Sequence, residues 1–206
     1  MMTIFLSDAG KRFNRDWIFR RLSYEFKEAQ SYAIVGPNGS GKSTLLQALS
    51  GSMQLSEGNI QYSISNKQIS NEEIYQQVSI CAPYLELVEE MTLIEFLSFH
   101  QNFKQFLPGI TIEKIISAFG LENAVNKQIR NYSSGMKQRV KLAQCIFSDT
   151  SIVLLDEPCT NLDSNGIDLY HRIINEHCKN RLVIVSSNDE VEYKFCREKI
   201  NILKYK

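Results

Sequence analysis

Nine consecutive residues, Gly36-Pro37-Asn38-Gly39-Ser40-Gly41-Lys42-Ser43-Thr44, satisfy the pattern G-x-x-x-x-G-K-[ST] and follow the apolar run Tyr32 to Val35. The chemistry suited to this pattern is polyphosphate binding. Closely spaced negative oxygens need backbone N–H groups pointing inward, and a loop of small residues turning into a helix N-terminus presents them. In such a loop Lys42 reaches the β and γ phosphates and the Ser43 hydroxyl ligates Mg²⁺. A bare glycine-rich turn would rarely match all the fixed positions between a strand and a helix.

A second group lies downstream. Ser151-Ile152-Val153-Leu154-Leu155-Asp156-Glu157-Pro158 reads as a buried strand carrying two adjacent carboxylates at its C-terminal end, where open α/β sheets place their ligands. Neighbouring side chains on a strand point to opposite sides, so the two acids are free to take different tasks. Asp156 is expected to hold magnesium through water, and Glu157 to orient and deprotonate the water that attacks a γ phosphate. An isolated Asp-Glu pair would more simply be a solvated loop opening; the phosphate loop upstream favours the chemical reading.

The elements that must position these groups are legible as patterns. From Thr3 to Ile64 short apolar runs rich in Ile, Phe and Tyr alternate with turn residues, predicting strands around one helix at Ser43 to Leu49 that Gly51 closes. Between about Tyr84 and Phe147 the period becomes helical. Thr92 with Glu95 forms a capping-box pattern ahead of Leu93 to His100, and Gly120 ends a segment beginning near Thr111. Beyond it, Ile152 to Leu155 and Leu182 to Val185 read as buried strands. Between them lies an amphipathic helix with Ile167, Tyr170, Ile173 and Ile174 on one side. Strand, helix, strand spells a parallel α/β core.

Composition narrows the class. With 206 residues and 43% hydrophobic content the chain buries a core of its own, and no repeat or linker divides it. Lys+Arg and Asp+Glu both count 23, so no basic field marks it for nucleic acid. Cys81, Cys145, Cys159, Cys178 and Cys196 are scattered and lack a C-x-x-C pair, as free thiols in a reducing compartment would be. Met1 to Asp8 does not resemble a secretory signal, and no run of about 18 apolar residues predicts a membrane span.

A third motif, Asn131-Tyr132-Ser133-Ser134-Gly135-Met136-Lys137-Gln138-Arg139, continues into a helix expected at about Met136 to Phe147. With the phosphate loop before it and the Asp-Glu strand after it, it resembles the signature of ABC (ATP-binding cassette) ATPases. The usual Leu-Ser-Gly-Gly-Gln is here Tyr-Ser-Ser-Gly-Met, a variant similar to that of export-type members. The resemblance covers nearly the whole chain. It implies a single ABC ATPase domain, 1–206: a P-loop NTPase core with a parallel sheet, an antiparallel β subdomain and an inserted α-helical subdomain at about 85–145. It also implies ATP and Mg²⁺ as cofactors and a head-to-tail dimer in which Ser133, Ser134 and Gly135 contact the nucleotide held by the opposite subunit. Asp163, in Thr160-Asn161-Leu162-Asp163, would then lie at the dimer interface. Phe13 stands where the family keeps an aromatic for adenine, although an aromatic in a strand-rich region also suits a core; Trp17 reads as packing.

As a member of this family the chain would be a cytoplasmic subunit, peripheral on the inner face of a membrane. It would couple ATP hydrolysis to transport by a permease on a separate polypeptide, alongside a second ATP-binding subunit and without nucleic acid. The permease would dock near Tyr84 to Met91, a segment that reads equally well as an ordinary loop. Two positions depart from the family pattern. Tyr84 replaces the glutamine that senses magnesium and the permease, and Asn188 replaces the histidine that contacts the γ phosphate. Asn188 donates a hydrogen bond but carries no positive charge. The departures imply slow or altered turnover; the alternative is a catalytically weak ATPase with a regulatory or non-transport role.

Overall fold

The computed structural model describes residues 1–206 and divides into two compact units. The first comprises residues 1–80, 150–157 and 180–206; the second comprises 81–149 and 158–179. The helical stretch expected at 85–145 falls inside the second. No helix is long and apolar enough to cross a membrane.

Two sheets build the first unit. Strands β1 (Met2–Phe13), β2 (Asp16–Lys27), β4 (Glu57–Ile64) and β5 (Lys67–Ile69) form an antiparallel sheet in the order β2-β1-β4-β5. The other sheet has the order β6-β7-β8-β3-β9, from β3 (Ser31–Val35), β6 (Val78–Cys81), β7 (Ile152–Asp156), β8 (Leu182–Ser186) and β9 (Glu198–Asn201). Within it β7, β8, β3 and β9 run parallel. Every residue of β7 and β8 is buried, as expected of parallel strands covered on both faces.

Helix α1 (Lys42–Leu49) follows β3 through the phosphate loop and ends at Ser50, with Gly51 in the left-handed region at φ 78°. Its Leu45, Leu46, Ala48 and Leu49 share one apolar cluster with Ile34, Ile152, Leu154, Leu182 and Ile184 of the parallel sheet. Ile4, Leu6, Phe19, Leu22, Phe26 and Tyr62 of the antiparallel sheet join the same cluster. Each Leu, Ile or Phe side chain among them contributes about 1.5–3 kcal/mol by leaving water. The core is thus assembled around the helix that begins at the phosphate loop. The short helix α6 (Glu190–Tyr193) completes the unit between β8 and β9.

In the second unit, α2 (Leu93–Gln101) opens with the expected capping box. The Thr92 hydroxyl accepts from the Glu95 N–H, and the Glu95 carboxylate accepts from the Thr92 N–H. Helix α3 (Ile112–Ala118) is capped by Thr111 and closed at Phe119 and Gly120. Helices α4 (Ser134–Phe147) and α5 (Ser164–His177) pack together, α5 burying Tyr170, Ile173 and Ile174 while Ile167 is half-buried. Helix α4 starts two residues before the expected Met136, because the Ser133 hydroxyl accepts from the Met136 N–H and makes Ser133 the cap. None of the five cysteines forms a disulfide; four are buried and Cys196 is half-buried.

His100 of α2 stacks on Phe106 and shares a hydrogen bond of 2.8 Å with the Ser148 hydroxyl. Burial, assisted by the Lys104 charge, lowers its pKa to about 4. The folded state therefore holds the neutral ring while the unfolded chain takes up a proton near pH 6.5. The stability contributed by this residue is complete above pH 6.5 and is lost as pH falls towards about 4. His100→Gln keeps a hydrogen-bonding partner for Ser148, and urea melts across this range are expected to show a shallower loss of stability than in the parent.

Candidate functional site

The phosphate loop has the shape its composition dictates. Gly39 and Gly41 adopt φ 73° and 102°, and a Cβ on Gly41 would lie 2.3 Å from the Ile18 Cγ2. Only glycine fits that position. The Ser40 N–H donates to the Pro37 carbonyl at 3.1 Å and the Leu45 N–H to the Gly41 carbonyl at 3.0 Å, so loop and helix form one continuous turn. Gly41 gives α1 no side-chain cap, which leaves the N–H groups of its first turn available to an anion. The Lys42 ammonium, nearly buried, donates to the carbonyls of Gly36 at 3.0 Å and Pro37 at 3.2 Å. Asn38 to Thr44, with Ile18 and Glu157, line a cleft of 230 Å³.

Both acids reach this end of the sheet, but not by simple strand alternation. β7 ends at Asp156, and Glu157 turns into the left-handed region at φ 44°, rare for a non-glycine residue. Its N–H donates to the Ser186 carbonyl at 2.9 Å, which fixes the turn. The strained turn, rather than the opposite face of a strand, brings Glu157 to the cleft. Asp156 is 2% exposed, and its Oδ1 has no hydrogen-bond partner; Ser40 Oγ and Ser186 Oγ are in the same condition. A buried carboxylate oxygen with nearby hydroxyls is a hard-oxygen set of the kind magnesium and its water shell favour. Ser43, at the first turn of α1, adds another hydroxyl to the cleft lining. The residues thus fit the ion.

The second unit carries its own cleft of 320 Å³, lined by Ser133 to Met136, Arg139 and Asn161 to Asp163. Gly135 is required there, because a Cβ would meet the Asn161 carbonyl oxygen at 2.9 Å. The Asp163 carboxylate accepts from the Gly166 N–H at 2.8 Å as the cap of α5, and Arg139 approaches it at 3.5 Å. Ser133, Ser134, Gly135 and Asp163 are therefore neighbours within one unit.

The sequence model of the ABC transporter family matches residues 19–160. This chain belongs to the ATP-binding subunits of ABC transporters. Two relatives from Bacillus subtilis are the ABC transporter ATP-binding proteins YhcH, 34% identical over 96% of this chain, and YybJ, 31% identical over 88%. The chain spans 66% of the length of YhcH and 83% of YybJ. Among solved structures, the dimeric ABC transporter cassette MJ0796 superposes with a TM-score of 0.80 at 21% identity, over 97% of this chain and 94% of that one. That likeness is one of fold: the mixed α/β architecture with a parallel and an antiparallel sheet is that of ABC cassettes.

The remaining candidate positions of this ABC subunit lie outside the two clefts. Phe13 ends β1 and is 47% exposed, so it is not a core aromatic. The Lys11 ammonium lies 5.3 Å from its ring centroid and donates to the Gln54 carbonyl at 2.8 Å, which covers one face of the ring. Trp17 is half-buried against Arg12 and Arg20, a packing role. Asn188 is exposed in the loop after β8, and Tyr84 is 45% exposed after β6. Neither Phe13 nor Asn188 lines the phosphate-loop cleft. Sequence reading missed Ile18, which reaches Gly41 from β2 and carries no local signal of doing so.

Gly41→Ala should prevent nucleotide binding and destabilise the chain by about 1–3 kcal/mol, the usual cost of a strained backbone position. Adding Ile18→Ala removes the clash but not the φ strain. Thermal unfolding and equilibrium binding of a fluorescent ATP analogue should therefore recover only in part in the double variant.

Proposed function

We propose that the chain is the ATP-hydrolysing subunit that energises a separate membrane permease, working as a dimer on the inner, cytoplasmic face of the membrane. The observation that carries this reading is the convergence of Lys42, Ser43 and Glu157 on the phosphate-loop cleft, with the unpartnered carboxylate of Asp156 next to Glu157 in the chain. The loop N–H groups and Lys42 bind the triphosphate of ATP, with Lys42 leaving the Gly36 and Pro37 carbonyls for phosphate oxygens. Gly36, Pro37, Asn38, Gly39, Ser40, Gly41 and Thr44 complete the cradle, and Phe13 stacks its uncovered face on adenine.

Ser43 and, through water, Asp156 would hold magnesium, and the ion would supply charge neutralisation of the phosphates. Glu157 positions the attacking water and takes its proton; Lys42 balances the charge that builds on the transferred phosphoryl group. Ser133, Ser134 and Gly135 contact the nucleotide held by the opposite subunit, and Asp163 lies at that interface. The dimeric state of the MJ0796 cassette supports this arrangement. Closure on ATP and reopening after hydrolysis drive the permease through the difference in affinity between the two states.

Asn188, in the loop after β8, offers a neutral amide where the family keeps a cation for the γ phosphate, so turnover is slow or altered. Glu157→Gln is expected to lower ATP turnover by about 10²-fold or more while ATP binding persists. Asn188→His is expected to raise turnover. Phosphate-release assays check both, and a Glu157→Gln variant as active as its parent contradicts the assignment. Purification of the tagged chain from gently solubilised membranes with ATP should recover a multi-span membrane protein; recovery alone, or with nucleic-acid machinery, contradicts the transport reading.

A further inference from the structure

Asp156 Oδ1 and Ser186 Oγ are both buried without a hydrogen-bond partner, and their residues are directly paired across the parallel ladder between β7 and β8. Residues so paired project from the same face of the sheet. Alternation identifies that face. Ile152 and Leu154 on β7, and Leu182 and Ile184 on β8, pack with Leu45, Leu46 and Leu49 of α1. Asp156 and Ser186 are the next members of these two rows, on the face that carries α1, at the C-terminal ends of the strands. Helix α1 runs back across the sheet from the phosphate loop, so its first turn with Ser43 lies at this same end. Ser186 therefore lies with Asp156 on the face and at the end of the sheet where α1 begins, and it is 0% exposed.

A serine hydroxyl buried with no partner is a liability that alanine would remove. A hydroxyl oxygen beside a carboxylate oxygen, both unfilled, is suited to receive two hydrogen bonds from ion-bound water. We propose that Ser186 is a positioning residue for magnesium: its hydroxyl oxygen accepts a hydrogen bond from the water shell through which Asp156 holds the ion. This rests on the reading of Asp156 given above and adds a residue that neither acid motif contains. The Ser186 carbonyl separately accepts the Glu157 N–H at 2.9 Å. That backbone bond is retained when the side chain is changed, so the two roles of Ser186 are separable.

Ser186→Ala tests the inference through binding and stability, not turnover. Mn²⁺ serves as the paramagnetic probe, titrated by electron paramagnetic resonance against the protein saturated with a non-hydrolysable ATP analogue. The variant is expected to bind Mn²⁺ about 10-fold more weakly, as loss of an outer-shell partner does. Its affinity for the analogue without metal should be unchanged. Its nucleotide-free melting temperature should be equal to the parent's or higher by about 2–4 °C. Ser186→Thr, which keeps the hydroxyl, should restore Mn²⁺ affinity. Unchanged Mn²⁺ affinity in Ser186→Ala overturns the proposal and leaves the assignment of Asp156 standing. Failure of the parent itself to bind Mn²⁺ with the analogue overturns both.

Discussion

At one end of its parallel sheet the chain buries a carboxylate oxygen and two hydroxyls that no group of its own satisfies. Each orphaned hydroxyl costs about 1–3 kcal/mol, and a buried carboxylate more, against a net stability of about 5–15 kcal/mol for a typical domain. The apolar cluster that joins α1 to both sheets must offset that deficit. The same cluster fixes the first turn of α1 at the strand ends where the polar groups wait.

The helix N-termini divide along the same line. Helices α2, α3, α4 and α5 begin with Thr92, Thr111, Ser133 and Asp163, whose side chains satisfy the first N–H groups from within the chain. Helix α1 begins with Gly41 and has no such cap. Its N–H groups therefore face the cleft unclaimed by any side chain, next to a lysine parked on carbonyl oxygens. At the signature, Ser133 spends its oxygen as an acceptor in the cap, which leaves its hydroxyl proton to donate to an anion.

Most of this was visible in the residue pattern. The phosphate loop was legible because its chemistry requires glycine at Gly41, and the buried strands because β7 and β8 are apolar up to their last residues, Asp156 and Ser186. The capping box at Thr92 was legible because both partners are local. Contacts that cross the chain were not. Nothing in the spacing announced that Ile18 presses on Gly41, or that Ser186 would pair in register with Asp156, since parallel register depends on packing between distant segments. The left-handed turn at Glu157 also escaped, because glutamate carries no preference for that conformation and only the bond to the Ser186 carbonyl reveals it. The start of α4 shifted for a local reason: a serine reads equally well as loop or cap until its hydroxyl is seen to bond.

A site for magnesium and nucleoside triphosphate at the orphaned groups and the uncapped helix would make the stability of the chain depend on both ligands. Thermal unfolding of the parent and of Lys42→Ala at rising ATP, with and without Mg²⁺, tests it most directly. Binding to the folded state alone should raise stability by about 2.7 kcal/mol at one hundred times the dissociation constant, with magnesium required for the full effect and Lys42→Ala lacking it. A melting temperature of the parent that does not respond to ATP and Mg²⁺ would contradict the account.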